Sequence, residues 1–329
     1  MNVNMIATSN PISSTASPIY RPMTSADIAT AQKMSLAVSW PHRLEDWQFA
    51  LDAGTGFVAE LDGAVIGTGL CWKHGAKRAS LGLVIVSDAH QGRAIGRKLM
   101  EMLIEEVGSR VTFLHATPEG KPLYEKLGFS VCGMLKQHQG RVTETAPVTL
   151  PHGIRLRDAQ HEDLAQLAAL ATRATGLERQ AMLAALFRVG SCAVLEQNGS
   201  IIGFSVFRLF GRGYVIGPVV ASASPEDLNA KALIACWLKG RENEYIRVDV
   251  PVGPGESDIN DWLAAQGLPC VDSVVKMVRN APADEHSGLP NADVRWYGLI
   301  TQAMFLSILC RCRSGARPCD TLHYRGDRA

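Results

Sequence analysis

A net charge of only +1 over 329 residues leaves no whole-protein field to favour nucleic acid or an anionic membrane as a partner. No secretory apolar core and no apolar run of bilayer length is present, so a cytoplasmic protein without membrane segments is expected. The eight cysteines lack a pairing pattern. Cys71, Cys132, Cys192, Cys236 and Cys270 stand singly among apolar neighbours, as small buried hydrophobes of a reducing compartment do. Cys310, Cys312, Cys319 and His323 match no usual zinc spacing, so an irregular tail over 281–329 with free thiols and no metal is expected. Residues 1–18 are rich in Ser, Thr, Asn and Pro without periodicity and read as a disordered leader.

What is present is a globular chain, 47% hydrophobic and long enough for two domains with full cores. Its organising stretch starts at Leu81-Gly82-Leu83-Val84-Ile85-Val86, a near-continuous apolar run. After a polar corner it becomes an amphipathic helix carrying Ile95, Leu99, Met102 and Leu103 at helical spacing. Gln91, Gly92, Arg93 and Gly96 fall where that helix begins. Small residues there bare backbone N–H groups at the positive end of the helix dipole, which makes an anion site, most naturally for a phosphate.

Before this stretch, Ile19–Pro22 reads as a strand, Thr24–Asp27 caps a helix running through Val38, and a second helix spans about Leu44 to Leu51. The connection between the helices, with Trp40, His42 and Trp47, is unusually aromatic and charged. Asp62-Gly63 between apolar runs predicts a hairpin feeding the central strand. Val111–Ala116 is expected parallel to that strand by a right-handed crossover, followed by a helix holding Tyr124 and a returning strand from Phe129. A polar stretch over 141–153 reads as a linker, after which the order repeats. Asn198-Gly199 answers Asp62-Gly63, Gly213–Val220 answers the central strand, and Trp262 stands where Tyr124 does. The chain therefore reads as a tandem duplication, 19–140 and 154–280. The copies differ at the turn: Ala221 to Asp227 has no glycine and adds the acidic pair Glu226 and Asp227, which repels a pyrophosphate.

Gln91 to Gly96 resembles the Q/R-x-x-G-x-G/A pyrophosphate loop of the GNAT N-acetyltransferase superfamily, and Pro122 to Phe129 resembles that superfamily's other recurrent segment. One departure is Ala94, which stands where the loop most often has its first glycine; a negative φ is expected there, since a methyl group disfavours the left-handed region. The resemblance implies an α/β fold with an α+β mixed sheet: two GNAT domains in tandem, the second degenerate. Each is a mostly antiparallel sheet with a splayed central parallel pair.

It further implies acetyl-CoA as co-substrate, held by the amides of Gln91, Gly92, Arg93, Ala94, Ile95, Gly96 and Arg97 and by the backbone of about Leu83 through Val84, Ile85 and Val86. Thr117 either touches the cofactor or caps a helix, and Tyr124 is either the general acid or a packed tyrosine. Trp40, His42 and Trp47 either line an acceptor pocket or wedge the helices against the sheet. Asp249 either reads a cationic acceptor from an inter-domain cleft or caps a helix. Glu60, His42, Asp46 and His74 are candidates for the base. The implied activity is direct transfer of acetyl to the amine of a small metabolite in a ternary complex, by a monomer or homodimer. A CoA-binding sensor or scaffold, or an enzyme using a longer acyl-CoA, are the alternatives.

Overall fold

The structure is a computed structural model and describes residues 17–143, 145, 147–252, 258–282 and 294–297. Cys310, Cys312, Cys319 and His323 lie outside the described residues, as does most of the expected leader and tail. The first half runs β1 (Ile19–Pro22), α1 (Ile28–Ala37), α2 (Leu44–Asp52), β2 (Thr55–Leu61), β3 (Ala64–His74), β4 (Arg78–Val86), α3 (Ile95–Val107), β5 (Val111–Ala116), α4 (Lys121–Lys126) and β6 (Ser130–Arg141). The second runs β7 (Ile154–Asp158), α5 (Leu164–Thr175), α6 (Gln180–Val189), β8 (Ser191–Gln197), β9 (Ser200–Phe210), β10 (Gly213–Ser222), α7 (Leu228–Leu238), β11 (Tyr245–Val252), α8 (Ile259–Ala265) and β12 (Cys270–Arg279). A short β13 (Val294–Tyr297) follows.

The repetition extends to side chains. Arg21 on β1 bridges Asp27 at the start of α1 and Glu60 on β2; Arg157 on β7 bridges Asp163 and Glu196 with the same separations of 6 and 39 residues. Both hairpin turns place their two central residues at positive φ, Asp62 and Gly63 at 51° and 77°, Asn198 and Gly199 at 51° and 76°. Those are the conformations a two-residue hairpin needs to match the twist of its strands.

The halves share one mixed sheet, ordered β1-β2-β3-β4-β5-β12-β6-β11-β10-β9-β8-β7 among the described residues. Each half's last strand lies beyond the other's fifth strand: β12 pairs antiparallel with β5, β6 pairs antiparallel with β11, and β6 and β12 pair with each other. The strand returning from Phe129 therefore completes the second half as much as the first. Helices α1, α2, α5 and α6 cover one face and pack around Trp47, Trp72, Leu170, Leu183 and Phe204. On the opposite face α3 and α4 cover the first half, with Met100, Leu103 and Tyr124, while α7 and α8 cover the second.

A buried ionic group ties the halves on the α2 face. Asp46 accepts hydrogen bonds from Arg43, from the Gly211 N–H at 3.0 Å and from Arg208 at 3.3 Å, with Asp46 wholly buried and Arg208 nearly so. Burial alone would raise the Asp46 carboxyl; the bonds from Arg43 and Gly211 outweigh it and hold it below the usual range. His42 stands beside this group, edge-on to Trp40, Trp47 and Phe210 at 6.0, 6.2 and 5.6 Å, and burial pushes its imidazole down to about 4.

Removing one member of a buried ion pair strands the other. Asp46→Ala is expected to destabilise the protein by about 3–5 kcal/mol in urea unfolding, and Arg208→Met added to it should recover part of the loss. His42 binds its proton far less readily folded than unfolded, so the unfolded chain takes up more protons as pH falls from about 6.5 to about 4. Stability should fall through that window by about 3 kcal/mol, and His42→Phe should flatten the profile of unfolding midpoint against pH.

Candidate functional site

The site begins with a fault in β4. Leu83 has φ 52°, rare for a branched side chain, and its carbonyl accepts a hydrogen bond from the Thr68 hydroxyl at 2.8 Å. There the register with β3 shifts, so that two residues of β4 oppose one of β3, a β-bulge. Its effect is visible in the packing: Leu81 sits in the α3-side core while Leu83, two residues on, sits in the α1-side core. An unbroken strand keeps both on one face.

Beyond the bulge β4 also leaves its parallel neighbour. Arg78, Ala79 and Ser80 pair with Val111, Thr112 and Phe113 of β5, and no ladder with β5 continues past Ser80. The splay expected of the central pair is therefore present, and Val84 to Val86 keep β3 on one edge with an opening on the other. Into that opening faces the start of α3, whose first turn carries no side-chain cap. The result is a cleft of about 510 Å³, lined on one side by Val84, Ile85 and Val86 and on the other by Gln91, Gly92, Ala94, Ile95, Gly96 and Arg97. A Cβ at Gly96 would meet only Val86 Cγ2 at 3.5 Å and Leu123 Cδ2 at 3.9 Å, so packing does not demand the glycine; its absent side chain leaves the amide open to the cleft.

Ala94 differs from expectation. Its φ is 60°, so the position does use the left-handed conformation that glycine adopts freely, and the alanine bears the strain. Arg93 does not line the cleft, whereas Arg97 does and also bonds Glu101 at 2.9 Å.

The cleft wall is completed by Thr117, Tyr124 and Trp40. The Thr117 hydroxyl accepts a hydrogen bond from the Gly120 N–H at 3.1 Å, so it caps the turn into α4 while facing the cleft. Tyr124 is buried edge-on to Phe129, at 6.3 Å between ring centres, and burial pushes its phenol up to about 12. It is a protonated donor at any physiological pH. Val38, His90, Glu119, Gly120 and Leu123 also line the cleft, and of these Leu123 alone falls in a segment that the family resemblance singled out. His90 bonds the Ser87 hydroxyl at 2.7 Å on the turn after β4, and Glu119 is exposed beside α4.

Other expected residues lie elsewhere. Trp47 is fully buried in the core, its indole N–H on Ser35 Oγ at 3.2 Å, and with His42 it wedges α1 and α2 in place, the packing alternative. Asp249 is buried on β11, bonded to Arg247 at 3.0 Å, and neither lines this cleft nor caps a helix. None of the four candidate bases lines the cleft. Glu60 is held by Arg21 at 2.8 Å, Asp46 and His42 belong to the inter-half group, and His74 bonds Ser80 Oγ at 2.8 Å.

The second half has the same splay with a different content. β10 pairs in parallel with β11 only at Tyr214 and Val215, and carries its own bulge between Ile216 and Val219. The edge corresponding to the open one of β4 is taken by β13, with Val219 to Ser222 paired antiparallel to Tyr297 to Val294. At the following turn the Ser224 hydroxyl accepts from the Asn229 N–H at 2.9 Å, and Asn229 donates to the Ser222 carbonyl. Chain atoms occupy there what is open in the first half.

The mixed sheet thus sets a splayed parallel pair beside an uncapped, glycine-bearing helix start. Comparison with known proteins makes the assignment specific. Residues 25–129 match the model of the acetyltransferase (GNAT) family, and residues 167–289 match that of another acetyltransferase (GNAT) domain. The chain is 26% identical over 228 residues, 68% of its length and 76% of the relative's, to the uncharacterized N-acetyltransferase YitH of Bacillus subtilis. In fold it resembles a putative acetyltransferase from Pyrococcus horikoshii, with TM-score 0.66 and 20% identity over 87% of this chain and 95% of the other. It also resembles a tandem GNAT protein from the clavulanic acid biosynthesis pathway, with TM-score 0.58 and 16% identity over 82% and 100%. The chain belongs to the GNAT acetyltransferases, in their tandem form.

The Ala94 conformation has a direct test. Ala94→Gly should leave stability unchanged or raise it by up to about 1 kcal/mol, and Ala94→Val should lower it by about 1–2 kcal/mol, read as the shift of the urea midpoint.

Proposed function

We propose that the protein moves an acetyl group from acetyl-CoA to the amine of a small metabolite by direct transfer in a ternary complex, with the donor bound in the first half alone. The observation that carries this reading is the open edge of β4 beside the uncapped start of α3. A thioester donor bearing a pyrophosphate and an amide-containing arm needs both features: helix-end amides for the anion, and an extended strand edge for the arm's hydrogen bonds. The residues present fit such a donor, with Gly92, Ala94, Ile95, Gly96 and Arg97 at the anion end and Val84 to Val86 along the arm. When bound, acetyl-CoA supplies the activated acyl group.

In the transfer the amine nitrogen bonds the acyl carbon, the carbon–sulfur bond breaks, and the amine gives up a proton. Backbone N–H groups of the β4 edge are the donors available to the developing oxyanion, a contact commonly worth about 2.7–4 kcal/mol. Tyr124, kept protonated by burial, donates a hydrogen bond to the departing sulfur. Of the groups lining the cleft, His90 and Glu119 are the ones able to accept the amine's proton. Trp40 at the cleft wall suits a small acceptor with an apolar portion. No described helix is long and apolar enough to cross a membrane, and the proposed setting is the cytoplasm, as a monomer or homodimer.

Calorimetric titration with acetyl-CoA should give one site per chain, abolished in Gly96→Glu, which sets a carboxylate at the anion end. Tyr124→Phe should keep that binding and lower kcat for thiol release by about 10²-fold with an accepted amine. Two sites per chain, or unaltered binding in Gly96→Glu, would refute the placement of the donor. Binding without thiol release across a broad amine panel would instead point to a CoA sensor.

A further inference from the structure

The cleft is lined from both faces of the sheet. Tyr124 belongs to the α3-side core, with Val84 and Leu123 packed against that core, whereas Val38, Trp40 and Ile85 belong to the α1-side core. The bulge at Leu83 makes this possible, because beyond it Val84 and Val86 turn to the α3 face and Ile85 to the α1 face. A ligand chain that starts at the anion end and follows the edge of β4 meets the pairing of Ser80 with Phe113 ahead of it, and on the α3 face it meets Leu123 and Tyr124. What is left is passage toward the α1 face, and there Val38 and Trp40 stand.

Trp40 is held in that place by its backbone as well as by packing. The end of α1 is a Schellman motif: the Trp40 N–H donates to the Ser35 carbonyl at 2.8 Å and the Ser39 N–H to the Leu36 carbonyl at 2.9 Å, with Ser39 left-handed at φ 64°. The indole is only 4% exposed and lies edge-on to His42, which in turn meets Trp47 and, from the second half, Phe210. A large ring anchored and backed in this way does not swing aside for a longer chain.

We propose that Trp40 sets the length of the acyl group this protein accepts: acetyl and propionyl fit beside the indole, and butyryl and longer chains collide with it. This rests on the donor being bound as proposed, with its pyrophosphate at the start of α3, and it names the residue that decides between acetyl-CoA and longer-chain thioesters. The limit should be sharp, since one methylene in an apolar pocket commonly changes discrimination by about 10- to 200-fold.

Calorimetric titration of the full chain with CoA, acetyl-CoA, propionyl-CoA, butyryl-CoA and hexanoyl-CoA tests it without any acceptor amine. The readout is the Kd of each thioester divided by that of CoA, a ratio in which a general change of the site cancels. In the wild-type protein the ratio should stay within about threefold through propionyl, then rise by about tenfold or more at butyryl and further at hexanoyl. Trp40→Ala should lower the hexanoyl ratio by about tenfold or more, and Trp40→Phe should do so for butyryl alone. Val38→Phe keeps the tryptophan and fills the same wall, so it should raise the propionyl ratio about tenfold; it decides the matter if the Trp40 variants do not fold. Wild-type binding of hexanoyl-CoA as tight as that of acetyl-CoA, unmoved ratios in folded Trp40 variants, or an unmoved propionyl ratio in Val38→Phe would each overturn the proposal. Those outcomes leave CoA bound and spare the donor reading, whereas failure of the wild-type protein to bind CoA and every thioester would overturn both.

Discussion

A backbone that leaves its ladder must still find partners for its N–H and C=O groups, and this protein meets that demand differently in its two halves. In each, a bulge and an early end to parallel pairing open a gap between the central strand and its neighbour. In the first half the gap is a cleft bounded by the uncapped start of α3. In the second, β13 pairs along the exposed edge and the turn bonds its own side chains. One architectural fault thus yields an open cleft once and a filled gap once. The difference lies in what fills the gap, since the strands around it are alike.

The halves are not independently closed bodies. Because β12 lies between β5 and β6, and β6 between β12 and β11, removing either half would expose long edges of the other. Asp46 adds a polar lock between the halves, tying α2 to β9 through Arg208 and to the turn after it through Gly211. The aromatic connection after α1 packs against that lock with His42 and Trp47 and presents Trp40 to the cleft. A contact between halves therefore fixes one wall of the first-half cleft, giving the second half a structural part in a cleft to which it contributes no lining residue.

Asp46 gathers donors from both halves, whereas Nε and Nη1 of the buried Arg179 have no hydrogen-bond partner among the described residues. Buried ionic groups are generally paired, and leaving one unpaired costs stability.

Local pattern made much of this legible. Apolar periodicity located the strands and helices of the first half, Asp62-Gly63 and Asn198-Gly199 marked the hairpins, and Gln91 to Gly96 marked the helix start that lines the cleft, because turn chemistry and helix starts are written in adjacent residues. The repeat, too, was visible in order alone. Other features depended on residues far apart in the chain. The left-handed Ala94 went unforeseen because nothing local requires it; the loop's path between strand and helix imposes it. His90, Glu119 and Leu123 reach the cleft because α4 and the turn after β4 converge across the splay. His42, Asp46, Trp47 and Asp249, in segments expected to face an acceptor, are buried and do not line the cleft, since burial is decided by what packs over a side chain. The exchange of β6 and β12 and the strand that closes the second half were likewise decided only by tertiary structure, because strand partners come from wherever the folded chain brings them.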